Sequence, residues 1–175
     1  RTFFQACMFC AFSLFWTVAP LELARRFHLT QTQIALFALV GATGALAAPL
    51  SGRLADAGHT VKATFAALAV GSAAMLITLL PSMRGVIVLA LLGVVLDFCV
   101  QMNMVQGQRA IYALDPLSRG RLNGIYMAGI FTGGAIGSAV ASSLYGSGGW
   151  AYVALAGGLA PLLALGVFAL NYKRA

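Results

Sequence analysis

Six apolar runs, each long enough to cross a bilayer, divide this chain almost from end to end. A spanning helix needs about 20 mostly apolar residues. The runs cover residues 2–23, 32–54, 61–80, 85–108, 122–145 and 150–172. Short links between them carry the charges and helix breakers: Arg25 to His28, Arg53 to Lys62, Pro81 to Arg84, Tyr112 to Arg121 and Gly146 to Gly149. Only 9% of the 175 residues are charged and 61% are hydrophobic. Soluble domains carry about 25% charged residues, so lipid is the solvent for most of this chain. The same numbers exclude disorder, which needs low hydrophobicity and high charge. The expected fold is all-α and integral to the membrane, with six transmembrane helices. The chain opens on Arg1 and enters apolar sequence at once, with no secretory signal pattern. It reads as a piece of a longer protein.

The charges then set an orientation. An even number of spans puts both ends on one side. That side holds Arg1, Arg53, Lys62, Arg109, Arg119, Arg121, Lys173 and Arg174, against Arg25, Arg26 and Arg84 on the other. Basic residues favour the cytoplasm, so both ends of the segment are expected there, in the inner membrane. Trp150 and Tyr172 bracket the sixth run, where interfacial aromatics belong. The net charge of +7 does not indicate nucleic acid, because the basic residues occur singly or in pairs, with no basic stripe. The three cysteines, Cys7, Cys10 and Cys99, all lie inside apolar runs. There a Cys acts as a small hydrophobe.

The second and fifth runs align without gaps at an offset of 90 residues. Ala38, Gly44 and Ala45 fall on Ala128, Gly134 and Ala135, with Leu46 on Ile136. That offset splits the chain into two three-helix units. An odd number of spans per unit inverts one relative to the other, a plan shared by many secondary transporters.

Asp97 is the residue most able to carry chemistry. It lies about 13 residues into the fourth run, roughly 20 Å along the helix axis. A carboxylate at such depth costs on the order of 3 kcal/mol and marks a functional site by default. Helical spacing puts Gln101, Met104 and Gln108 on its face, and Asn103 and Gln106 on others. The Asp97-Gln101-Gln108 stripe could line half of a polar passage, with Asp97 binding and releasing a proton. The plainer alternative is a structural Asp paired with a neighbouring helix. In the first run Gln5, Phe9, Phe12 and Trp16 share a stripe that could face a flat apolar ligand or simply pack. Pro20 and Glu22 follow, with a bend and a water boundary as their plain roles.

Gly129, Gly133 and Gly137 repeat at four-residue spacing in the fifth run, with Gly134 beside them. Gly41 and Gly44 sit in the second. Small residues at this spacing let two helix backbones approach closely, as static packing or as a sliding seam. The loop from Gly52 to His59 is short and polar. Asp56 there is suited to cap a helix or to pair with an Arg. Arg109, Arg119 and Arg121 lie on the same side, as a latch or as solvated charges. Cys7-x-x-Cys10 lacks a second ligand pair for a metal. There is no Walker loop, Gly-x-Ser-x-Gly or His-Glu-x-x-His. Neither an enzyme nor a cofactor or metal is expected.

Taken together, these features resemble the C-terminal six-helix half of a major facilitator superfamily transporter. Gly52-Arg53-Leu54-Ala55-Asp56 is similar to the family's signature loop between the second and third helices of each half. The stretch from Arg119 to Gly124, the Gly-rich run after it and Gly148-Gly149-Trp150 resemble the region around the family's eleventh helix. The loop departs from the family pattern after Asp56, where Ala57-Gly58-His59-Thr60 replaces the basic residues and only Lys62 supplies a cation. The nearest resemblance within the family is to bacterial drug:proton antiporter-like efflux proteins.

The resemblance implies half of a twelve-helix fold whose other half, N-terminal to this segment, is a partner along with lipid, protons and a small molecule. It implies a cytoplasmic gate in which Asp56 meets a helix end or an Arg, with Arg109 the candidate. It implies a substrate path lined by Gln5, Trp16, Asp97 and Gln101. The glycines of the second and fifth helices would then face the missing half. Proton-coupled efflux of an amphipathic molecule follows as the expected activity. A sugar or metabolite carrier and a non-transporting sensor or assembly subunit are the alternatives.

Overall fold

The computed structural model describes residues 1–41, 43, 44 and 47–172. The Ala45 and Leu46 part of the repeat, and the charges Lys173 and Arg174, lie outside the described residues. Six α-helices are present among the described residues: α1 (Thr2–Phe27), α2 (Gln31–Gly41), α3 (Ala47–Asp56), α4 (Thr60–Leu76), α5 (Val86–Tyr112) and α6 (Arg119–Tyr172). Two short 3₁₀ turns, Ile77–Leu79 and Pro81–Met83, link α4 to α5. By length and composition, four helical stretches can cross a membrane: Thr2–Phe27, Thr60–Leu79, Val86–Tyr112 and Arg119–Asn171.

These elements do not map one-to-one onto the six runs. The described part of the second run forms α2 and α3. The fifth and sixth runs form the single long element α6. Its backbone leaves helical geometry at Gly148 and Gly149, and Gly149 has φ 60° and ψ −153°. Only glycine adopts that conformation readily. The Gly148-Gly149 pair therefore divides α6 into arms 119–147 and 150–172. The first helix passes the expected end at Leu23 and runs to Phe27, through Pro20. Glu22 and Arg26, one turn apart, pair at 3.3 Å across that extra turn. His28 ends it in the left-handed conformation, with its N–H on the Leu23 carbonyl. At the far end of α4, the Arg84 guanidinium donates to the carbonyls of Thr78 and Leu79 at 2.7 and 2.8 Å, covering acceptors that a helix end leaves open.

The helix α1 is the hub, packing most extensively on α6 and also touching α2, α4 and α5. Its interior residues Met8, Ala11, Leu14, Phe15 and Val18 are fully or almost fully enclosed. Lipid tails are as apolar as these side chains, so the hydrophobic effect does not drive the helices together, and close van der Waals packing does. The glycines supply it. A Cβ on Gly133 or Gly137 would fall on the backbone of Ala6 or Cys10, and one on Gly129 would strike the Thr2 side chain. The four-residue steps of the two helices match. The resemblance gave these glycines a partner in a missing half, but their partner is α1 of this chain. Gly44 likewise abuts Asp97 and the Phe98 backbone, and Gly41 abuts Trp16.

The second arm of α6 closes on α4, where the Ser72 hydroxyl donates to the Gly158 carbonyl at 2.7 Å. Trp150, expected at the lipid–water boundary, is 2% exposed. Its indole donates to Thr78 Oγ1 at 2.8 Å and meets Phe15 edge to face. A buried indole N–H needs such a partner, and the 3₁₀ turn at Thr78 supplies it.

Candidate functional site

Asp97 sits midway along α5, half-buried, opposite Trp16 of α1. The Trp16 indole Nε1 donates to Asp97 Oδ1 at 2.8 Å. Gly41 and Gly44 make room for the pair, since a side chain at either would strike Trp16 or Asp97. Three segments distant in sequence therefore enclose one carboxylate. From Trp16 an aromatic ladder runs along α1 through Phe12 and Phe9 to Phe131 of α6. Phe9 and Phe12 stack at 5.1 Å, and Phe9 meets Phe131 edge to face at 5.7 Å. Phe37 of α2 closes the other end against Trp16. A carboxylate beside aromatic faces can hold a proton, or an organic cation through charge and cation–π attraction.

The other residues expected on this path separate. Gln101 is half-buried. Gln108 reaches α6, donating to Asn123 Oδ1 at 3.4 Å. Gln5 is fully enclosed, donating to the Val100 carbonyl at 3.1 Å and accepting from Asn103 Nδ2 at 2.6 Å. It ties α1 to α5 and does not open on a passage. Asn103 and Gln106, set aside in the sequence for lying on other faces, are the buried amides of α5. Gln106 Nε2 donates to the Ser51 carbonyl at 2.8 Å and to its hydroxyl at 3.1 Å, fastening α3 to α5. Gln106 Oε1 has no partner among the described residues. An apolar helix face with a lone amide signals such a tie, but not to which helix.

At one end of the bundle, Arg109 Nη1 donates to Asp56 Oδ1. Gly52 lies one turn before Asp56, where a Cβ would just touch the Arg109 guanidinium. Both partners are substantially exposed, with side chains 44% and 68% accessible, so the pair is a surface contact worth about 1 kcal/mol or less. Arg119 lines the adjoining hollow, and Arg121 is exposed beyond it. In the same region Asp115 is held below the usual carboxylate range by hydrogen bonds from Ser118 and the Leu117 N–H. At the opposite end is a cluster the sequence did not reveal. Glu22, expected at the water boundary, is 6% exposed. It accepts from the Tyr145 hydroxyl at 2.9 Å, joining α1 to the first arm of α6.

Comparison with known families decides where this architecture belongs. The model of the Major Facilitator Superfamily matches residues 2–175. The chain belongs to the major facilitator superfamily. The uncharacterized transporter YgaY of Escherichia coli O157:H7 is 36% identical over 178 residues, covering 99% of this chain. The YgaY transporter of Escherichia coli strain K12 matches to the same extent. The chain spans 44% of the length of these curated relatives. No solved structure matches it. As a member of the superfamily with long apolar helices, it is a multi-pass membrane protein. The hydrogen-bonded carboxylate and the surface ion pair are thus features of a chain of the major facilitator superfamily.

Proposed function

We propose that this chain is the C-terminal six-helix half of a secondary transporter. The whole protein would export a small amphipathic molecule in exchange for protons by alternating access. The six spans would be α1, the α2–α3 pair, α4, α5 and the two arms of α6, arranged as two inverted three-helix units with both ends in the cytoplasm. The match to somewhat less than half of longer relatives supports the half reading. The observation that carries the mechanism is the half-buried Asp97 carboxylate, hydrogen-bonded by Trp16 beside an aromatic ladder. A site at the junction of several helices changes its access when two rigid halves rock about it. Asp97 would bind a proton in one state and release it in the other, with Trp16 and Gln101 on the substrate path. Gln5 would hold α1 to α5 as they move.

Asp56 and Arg109, with Gly52 beside them, form the cytoplasmic latch in this reading, and Arg119 and Arg121 add positive charge around it. The latch is exposed, so its effect is modest. Asp56→Asn or Arg109→Gln is expected to change the transport rate by about fivefold or less, as a surface ion pair allows. The exchanged pair, Asp56→Arg with Arg109→Asp, is expected to recover most of the loss. Initial rates of substrate uptake into inverted vesicles check both.

The test of function uses the full-length protein in liposomes with an imposed pH gradient. A lipophilic aromatic cation is expected to move against the proton gradient, and a protonophore to stop it. Saturable flux of sugars and none of the cation would make the protein a metabolite carrier. No gradient-driven flux of either would make it a non-transporting membrane module.

A further inference from the structure

An apolar groove and a basic hollow lie end to end on one side of this bundle. The groove, about 310 Å³, is lined by Leu54, Ala63, Val70, Val94, Phe98 and Met102, from α3, α4 and α5. The hollow, about 510 Å³, is lined by Ala55, Thr60, Arg109, Tyr112 and Arg119. The helical register makes them one feature. Residues seven or eighteen apart share a helix face at 3.6 residues per turn. On α5 these spacings carry Met102 to Arg109 and Val94 to Tyr112, and Val95 to Ala113 at its C-cap. On α4 a spacing of seven carries Thr60 to Ala67, which also lines the groove. The groove covers about 12 Å of α5 at 1.5 Å per residue, close to the ~15 Å of hydrocarbon in one leaflet.

The charges stand where such a groove meets water. Asp56 ends α3, Thr60 begins α4, Tyr112 ends α5 and Arg119 begins α6, so the hollow lies at four helix ends. Arg109 is engaged by Asp56. Arg119 is exposed and makes no hydrogen bond or ion pair among the described residues. Arg53, Lys62 and Arg121 belong to the same end, against Asp56 and Asp115. Guanidinium groups bind phosphate oxygens in paired hydrogen bonds. Basic hollows between membrane helices are suited to anionic headgroups.

We propose that this combined feature is a binding site for one anionic phospholipid. Its phosphate meets Arg119 and the free edge of Arg109, and an acyl chain lies in the groove between α4 and α5. The site lies on a face of α5 that Asp97 does not line, and lipid binding there is independent of what the protein transports.

The test places the full-length protein in nanodiscs of phosphatidylglycerol and phosphatidylcholine in equal amounts. Native mass spectrometry then counts the lipids it retains. Phosphatidylglycerol is expected to be retained in excess. Arg119→Gln is expected to cut that excess by about fivefold, the effect of one basic residue beside an anionic lipid. Ala66→Phe fills the groove from an exposed position without altering charge, and is expected to reduce retention as well. Equal retention of the two lipids would overturn the proposal. So would a phosphatidylglycerol excess that Ala66→Phe leaves intact and millimolar inorganic phosphate removes. That result would make the hollow a site for a free anion.

Discussion

Asp97→Asn in the full-length transporter is expected to abolish uphill export and to flatten its pH profile, while leaving the protein folded. An Asn carbonyl can accept the Trp16 indole N–H that Asp97 Oδ1 accepts at 2.8 Å. Asn also has nearly the size of Asp, so Gly41 and Gly44 still fit against it. Only the ionisable oxygen is lost. If Asp97 is the coupling acid, what remains is passive exchange of substrate without proton drive. Trp16→Phe separates this from a packing effect. It removes one hydrogen bond to a charged group, worth about 1.5–3 kcal/mol, and leaves the carboxylate in place. Flux is expected to fall by roughly 10–100-fold, the equivalent of that energy, with pH dependence retained. Initial rates from pH 5.5 to 8.5 (an interval of about three units around the range where tuned carboxyl groups work) read both variants. Full pH-dependent transport by Asp97→Asn would remove Asp97 from coupling.

The second large effect is on stability. Gly133→Leu is expected to prevent recovery of a monodisperse protein, and Gly133→Ala to lower its thermal midpoint. A Cβ at Gly133 meets the Ala6 backbone. Backbone atoms cannot rotate aside, so α1 and α6 must separate along their whole contact. Overpacking a well-packed interior costs about 1–3 kcal/mol and sometimes more. Gly166→Ala is the contrasting change. Nothing lies near a Cβ there, and Ala is favoured over Gly in a helix by up to about 1 kcal/mol. Its midpoint is expected to hold or rise. Of the two Gly→Ala variants, only the one at Gly133 therefore falls if the seam is the cause. Equal midpoints in detergent would show that the seam does not limit stability.

The division of the second run into α2 and α3 was not legible in the sequence, but the apolar runs, the short links and the isolated acid within them were. Each is local. A bilayer demands about 20 apolar residues per span and penalises every charge placed inside it. Glycine spacing also announced a close helix crossing, but not its partner. An apolar helix offers lipid and protein nearly the same surface, so hydrophobicity does not say which face is covered. That is why Gly129, Gly133 and Gly137 proved to seat α1, and why Trp150 and Glu22 proved to be enclosed by neighbouring helices.

By itself, the sequence determined that this chain lives in lipid as apolar helices, and that Asp97 is an ionisable group midway along one of them. Helical periodicity and transfer energies act within a segment and need no partner. Only the tertiary structure decided what each polar group meets. Asp97 received Trp16, Gln5 received Asn103, Gln106 received Ser51, and Asp56 received Arg109. These partners lie 53 to 98 residues apart. Polar groups buried in a bundle are costly without partners. The helix crossings set by small residues choose which partners they find.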